Sequence, residues 1–302
     1  MNNKFNVDYI PKHSPRTVNK KNNKIKREII VKRRRRRIKI KWVIVVLLFF
    51  VAVILYSTYK IVNWNVDNKK AETITKKIEE ITEVVEVEDT PDTEILNEEE
   101  DKNNPYWYYI TFPLIDVDIM ELKRQNPDTV GWINVNNTNI NYPFVHTSDN
   151  DYYLSHSFDK SYNNAGWLFL DYRDNIDFSK KNNIIYGHSR LNKTMFGSLN
   201  GVLNYDWYSN KDNHIIRISL ENENTLWQIF SVYKIKTETY YITTDFISDS
   251  EYLEFLNTIK GRSIYDFDAN LTKEDKVLTL STCYSDTERT VVHARLIKRS
   301  KR

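Results

Sequence analysis

The chain has 302 residues, a formal net charge of +3, six glycines and one cysteine. One cysteine excludes an internal disulfide and six glycines exclude a glycine-rich phosphate loop; with no CxxC, HExxH or calcium-loop spacing, no metal site is expected. The small net charge hides two opposed pieces: residues 1–41 hold 16 Lys+Arg against Asp8 and Glu28, about +14, and the remainder carries about −11.

The two pieces meet at WVIVVLLFFVAVILYSTY, residues 42–59, which carries no charge. At about 1.5 Å per residue, a helix of this length crosses most of a bilayer core of roughly 30 Å, and Ile61 and Val62 extend it. No small-x-small cleavage site follows, so residues 42–62 are expected to remain as a transmembrane anchor. KRRRRRIKIK at 32–41 precedes the span directly, whereas the far side offers only Lys60, Lys69 and Lys70. That asymmetry makes 1–41 a basic cytoplasmic segment, His13 included, and puts everything after a single pass of the cell membrane outside. Placed against the membrane, the arginine run is an orientation signal or a contact to anionic lipid, and no nucleic-acid partner is expected.

Residues 63–104 are rich in acids and lack aromatics from Asn65 on. They read as an acidic tether, partly helical over 69–87 and solvated past Pro91. Composition changes at PYWYYITFPLI, 105–115, which opens a domain over 105–302 large enough for its own core. A chain beginning near Pro105 is expected to fold and act without the tether.

In this domain DVDIMELKRQN, 116–126, reads as a helix stopped by Pro127. GWINVNNTNINYPFV, 131–145, alternates apolar residues with asparagines and turns at Asn136-Asn137. WLFLDYR, NNIIYGH, HIIRISL, LWQIFSVYKI, KVLTLSTC and TVVHARLI are further strands. In SDSEYLEFLNTIKG, Ser248 and Glu251 match a capping box, Tyr252, Phe255, Leu256 and Ile259 share one helical face, and Gly261 marks the end. The pattern is β-rich with few helices, an antiparallel barrel or sandwich.

Cys283 ends KVLTLSTC and faces a polar loop. A single thiol outside the membrane is an intermolecular link, a buried bystander or a reactive group. To act as a nucleophile it needs a cation nearby, because only the thiolate attacks. Among six histidines, His188 shares the strand-to-loop placement of Cys283. His293 lies within a strand and packs or pairs across the sheet; His146 and His156 show no partner pattern. Arg289 opens the next strand and returns to the same rim if YSDTE forms a hairpin loop. Arg295 lies well inside that strand or near its far end, so its loss should leave most activity in place.

TLSTC, the arginine opening a VV-x-A strand and the preceding YGH together resemble the sortases. NPDTVGWI (126–133), NYPFVHTSDNDYYLSHSF (141–158), AGWLFLDYR (165–173), MFGSL (195–199) and the helix at 248–260 resemble class B in particular. The likeness spans 116–297. It implies a mainly β fold: an eight-stranded β-barrel with an N-terminal helix, a helix inserted before the cysteine strand, and a separate N-terminal transmembrane helix. It further implies a cofactor-free cysteine transpeptidase of Gram-positive bacteria. Such enzymes cleave a C-terminal sorting signal of secreted proteins through a thioacyl-enzyme and pass the acyl group to an amine of the cell-wall precursor. Matched residue by residue, Cys283 is the nucleophile, His188 the general acid/base and Arg289 the oxyanion partner, and the peptide groove maps onto Asn150, Leu154, Thr237, Tyr241, Ile242 and Ser281. Two positions depart from the pattern: YSDTE is shorter than in several class B members, and Tyr284 stands where some carry an acid. Three alternatives differ in chemistry: a pilin-type polymerising sortase that uses a pilin lysine, a wall-directed cysteine peptidase or hydrolase, and a non-catalytic binding module. Papain-like enzymes place the cysteine before the histidine, the reverse of the order here.

Overall fold

The computed structural model describes the backbone of residues 16–283 and 288–302; His13 lies outside them. The chain forms two compact units, Met1–Asn63 and Trp64–Arg302. In the first, the described residues are one helix, the leading part of α1 (Arg16–Ile81). Part of α1 is long and apolar enough to cross a membrane. Side chains all around this stretch are exposed, among them Leu48, Phe49, Ile54 and Leu55. A helix apolar on every side has no face suited to water.

The second unit continues through β1 (Val85–Val87), β2 (Thr93–Ile95), α2 (Tyr106–Tyr109), β3 (Leu114–Asp116) and α3 (Ile119–Gln125). There follow β4 (Thr129–Val135), β5 (Asn141–Val145), β6 (Phe169–Leu170), β7 (Asn182–His188) and α4 (Tyr205–Tyr208). The last elements are β8 (Ile215–Leu220), β9 (Glu223–Lys236), α5 (Asp249–Gly261), β10 (Val277–Cys283) and β11 (Glu288–Lys301). Neighbours run β10-β7-β6-β5-β4-β8-β9-β11, and β10 also pairs with β11, which closes an eight-stranded barrel. The pairings are not all antiparallel as expected: β7–β10 and β5–β6 are parallel. A parallel pair needs a long crossover, and the segment carrying β8, β9 and α5 supplies it for β7 and β10.

The main core brings together Ile133, Leu168, Ile185, Trp227 and Leu280, among others. α5 covers β9, β10 and β11 from outside, burying Tyr252, Phe255, Leu256 and Ile259 against Phe230, Val277 and Val291. Each such side chain contributes about 1.5–3 kcal/mol. The Ser248 hydroxyl accepts from the Glu251 backbone as expected, but the Glu251 carboxylate returns to Ile247 N at 2.6 Å, one residue before the cap. The helix closes on Arg262 in ordinary helical geometry, so Gly261 does not act as a left-handed cap.

The stretch read as an acidic tether is instead folded onto the barrel. Ala71, Ile74 and Ile78, spaced along one face of α1, are buried in the main core. β1 pairs with β3, and β2 extends β11 beyond the barrel. The Glu99 carboxylate forms a buried ion pair with Arg295 at 2.6 Å. The acids that dominate the composition lie mostly outward, and the sparse apolar residues recur at inward positions. Average composition conceals that spacing.

Candidate active site

β7 and β10 run in register from Asn182↔Val277 to His188↔Cys283. Both are buried along most of their length, and their buried polar residues, Asn182, Asn183, Thr279, Ser281 and Thr282, alternate with or flank the apolar ones. Neighbouring strands lie about 4.8 Å apart, so the final residues of the two strands are backbone neighbours. β11 returns antiparallel, and Thr290 N donates to Thr282 Oγ1 at 2.9 Å. Arg289 thereby comes to the same end. Its Nη1 donates at 3.2 Å to the Thr282 carbonyl, which belongs to the peptide bond entering Cys283. The structure thus brings together the Cys283 backbone, His188 and Arg289, and the short connection does not prevent the arginine from arriving. The Cys283 side chain and Tyr284 lie outside the described residues.

His188 is half-buried, and its Nε2 donates to the Leu154 carbonyl at 2.7 Å. A carbonyl only accepts, so the neutral ring carries its proton on Nε2 and its basic nitrogen is Nδ1. Gly166, at φ +62°, lies against the ring: a Cβ there would stand 2.7 Å from His188 Cδ2 and 2.6 Å from the Tyr153 carbonyl. Only glycine satisfies both the dihedral and the space.

Tyr241 and Ile242 lie in a 3-10 turn, Tyr240–Ile242, beyond β9. The Tyr241 hydroxyl bonds Ser281 Oγ at 3.0 Å, two residues before Cys283. Three successive carbonyls of this turn are tied to the barrel. Those of Tyr241 and Thr243 accept from Asn182 Nδ2 at 3.2 and 2.9 Å, and that of Ile242 accepts from Arg173 Nη2 at 3.0 Å. Thr237 is exposed just past the pair Lys236↔Glu288, at the Arg289 end. Asn150 joins this region through its Oδ1, which accepts from Tyr172 N at 3.0 Å.

Sequence reasoning assigned no role to Asp171, Arg173 or Asn182. Arg173 forks onto Asp171 through Nε and Nη2 at 2.8 and 2.7 Å, and the Tyr186 hydroxyl donates to the same carboxylate at 2.9 Å. Burial alone pushes the Asp171 carboxyl up, but the Arg173 fork and the Tyr186 hydroxyl bring it below the usual range. The available signal was an Asp and an Arg two apart in the turn that follows a strand, close enough in sequence to pair.

Of the other described histidines, His214 is buried between the Tyr109 hydroxyl and the Tyr208 carbonyl, each at 2.7 Å. His293 is fully buried and donates from Nδ1 to Thr279 Oγ1 at 2.8 Å, while Thr279 donates to Asn182 Oδ1 at 2.6 Å. The Tyr233 hydroxyl then donates to His293 Nε2 at 2.8 Å. Burial pushes His293 down to about 3, so it stays neutral. His156 stacks on Tyr152 at 4.0 Å, and His146 Nε2 is buried without a partner among the described residues. Arg295 is held by Glu99, Gln228 and the Asn270 carbonyl inside the fold. Among the described residues no three His, Cys, Asp or Glu side chains cluster as metal ligands.

A closed eight-stranded barrel with a histidine and a cysteine ending adjacent parallel strands defines a sortase-type architecture. The sortase domain profile matches residues 133–297. Sortase B of Listeria monocytogenes is 34% identical over 184 residues, 61% of this chain and 73% of that protein. Sortase B of Staphylococcus aureus is 37% identical over 181 residues, 59% of this chain and 73% of that protein. Among solved structures, the Staphylococcus aureus sortase B–substrate complex has 35% identity and a TM-score of 0.57, covering 60% of this chain and 84% of that one. Clostridium perfringens sortase B has 33% identity and a TM-score of 0.56, covering 59% and 98%. The chain belongs to the sortase family, and within that family to class B.

Proposed function

We propose that this sortase is a transpeptidase in which Cys283, His188 and Arg289 act as one unit. The observation that carries the reading is the register pair Cys283↔His188, with the Arg289 guanidinium on the carbonyl that enters Cys283. The Cys283 thiolate attacks the carbonyl carbon of the scissile bond in a sorting signal. A C–S bond forms and the carbonyl electrons move to oxygen, where the fork of Arg289 donates. A preorganised donor of this kind is typically worth about 10²–10³ in rate. Collapse of the intermediate expels the amine, which takes the proton from Nδ1 of the His188 imidazolium. The incoming amine returns a proton to the same nitrogen as it attacks the thioester, and the thiolate is regenerated. Such transfers are worth about 10²–10⁴.

One sortase B of known structure is complexed with substrate and another with a triglycine peptide. Both support a peptide donor and an amine acceptor, here an amine of the cell-wall precursor. In this reading Asn150, Leu154, Thr237 and Ile242 meet the donor peptide, and Tyr241 and Ser281, buried and bonded to each other, support that groove from beneath. The basic flank at 32–41 supports a cytoplasmic N-terminus and an extracellular domain.

The test is incubation with a library of sorting-signal peptides, followed by mass spectrometry of the acyl-enzyme. Cys283→Ala should abolish cleavage and the adduct, and His188→Ala should nearly stop turnover. Arg289→Lys should fall by about 10² or more. An adduct that persists in Cys283→Ala refutes the nucleophile, and transfer to a lysine peptide but not to oligoglycine selects a pilin-type acceptor. Protease added to wall-stripped cells should release the second unit; protection of that unit alone reverses the orientation.

A further inference from the structure

We propose that the part of α1 belonging to the barrel unit, through Asp67, Asn68 and Lys70, positions His188 by locking the loop that holds its ring. This rests on the reading of His188 as the acid/base.

The loop between the Tyr152–Leu154 turn and β6 grips the imidazole from two directions. The Leu154 carbonyl accepts from Nε2, and Gly166 lies against Cδ2. Its two ends are joined by Trp167 N to the Tyr153 carbonyl at 2.9 Å. Its far side is organised by Asn163, which is fully buried: Oδ1 accepts from Ala165 N at 2.9 Å and Nδ2 donates to Ser157 Oγ at 2.9 Å. Asn163 N–H and C=O bond the Ser155 carbonyl and Gly166 N within the same loop.

Helix α1 completes this set. The Asp67 carbonyl accepts from Asn163 Nδ2 at 3.0 Å and its carboxylate accepts from Asn164 Nδ2 at 2.9 Å. Lys70 Nζ donates to the Tyr162 carbonyl at 2.8 Å. Arg190, two residues past His188, donates to Asn68 Oδ1 and to the Asn164 carbonyl, with its guanidinium 5.8 Å from the Trp64 ring centroid. Three consecutive loop residues, 162–164, are therefore fastened to one helical turn. That turn also meets the segment leaving His188, so it fixes both sides of the ring. The function served is tautomer selection: while the Leu154 carbonyl stays in place, Nδ1 remains the nitrogen that exchanges protons.

The test uses the full chain in detergent micelles, with its histidines labelled in 15N, at a pH where the ring is neutral. In the wild type, long-range 15N–1H spectra should give the Nε2–H signature for His188. In the triple variant Asp67→Ala/Asn68→Ala/Lys70→Ala, the two tautomers should mix and amide exchange across 154–166 should quicken. kcat should fall about tenfold with little change in the KM for peptide, because misplacing a reacting group acts on the chemical step. Asp67→Asn keeps an acceptor for Asn164 and should match the wild type in every readout. A triple variant that retains the pure Nε2–H signature and wild-type exchange overturns the proposal, even if its melting temperature drops. Should the triple variant not fold, Asp67→Ala alone is read in the same way. The tautomer signal requires no turnover, so its outcome is separate from that of Cys283→Ala.

Discussion

Removing the Glu99 carboxylate would leave Arg295 as a buried cation. The two side chains are 7% and 1% exposed, and their atoms are 2.6 Å apart. Breaking such a pair from one side costs about 3–5 kcal/mol, because the remaining charge has lost both its water and its partner. Arg295 would keep Gln228 Oε1 at 3.0 Å, the Asn270 carbonyl and a face of Tyr106 with the ring centroid at 5.4 Å. Those partners put Glu99→Ala near the lower end, about 3 kcal/mol. At about 2–4 °C per kcal/mol for a unit of this size, Tm should drop by about 6–12 °C. Arg295→Ala should also be destabilised, so its expected activity has to be measured at a temperature where the variant is folded. The double variant Glu99→Ala/Arg295→Ala should lose less than the sum of the single losses, by about 2 kcal/mol or more. Urea midpoints with slopes measured for all four proteins decide the matter. The reasoning is refuted if Glu99→Ala lies within about 0.5 kcal/mol of the wild type, or if the double variant is simply additive. A chain beginning at Pro105 lacks Glu99, β1 and β2, and is expected to be less stable by at least as much. A chain beginning at Trp64 retains the whole unit.

Gly166→Ala should be destabilised and nearly inactive, since its Cβ would meet His188 and a carbonyl; wild-type turnover in this variant would remove the loop's claim on the ring. Asp174 is buried with its carboxyl pushed up to about 7, chiefly by desolvation. The folded state holds that proton between about pH 4 and 7 and the unfolded state does not, so stability should decline as pH rises through this window. Asp174→Asn should flatten the decline in Tm, and an unchanged slope would assign it to other groups. Arg173→Gln should raise the KM for peptide more than it lowers kcat, because it frees the Ile242 carbonyl from the barrel while leaving the strand ends in place. The reverse pattern would place Arg173 in the chemistry.

That Cys283, His188 and Arg289 come to one end of the barrel was legible because each sits where an apolar run adjoins polar residues, a signal local in sequence. The helix at 249–261 was legible for the same reason, with its cap and apolar stripe contained in one stretch. The parallel pairing of β7 and β10 was not, since nothing local distinguishes NNIIYGH as a parallel strand from an antiparallel one. The folded region 64–104 was missed because Ala71, Ile74, Ile78 and Glu99 find partners far along the chain, Arg295 among them. The hold of Arg173 and Asn182 on the Tyr241, Ile242 and Thr243 carbonyls was missed because backbone acceptors leave no side-chain pattern.

β10 lies between β7 and β11, and β11 is itself anchored to β9 over most of its length. The Cα of Cys283 takes its coordinates from the strand ending in His188, and Arg289 takes its own from the pairing with Ile235. Neither depends on how many residues join the two strands. The connection after the cysteine can therefore be lengthened, shortened or recomposed while these residues keep their spacing. The closed barrel makes the placement of the two strand ends independent of the length of YSDTE.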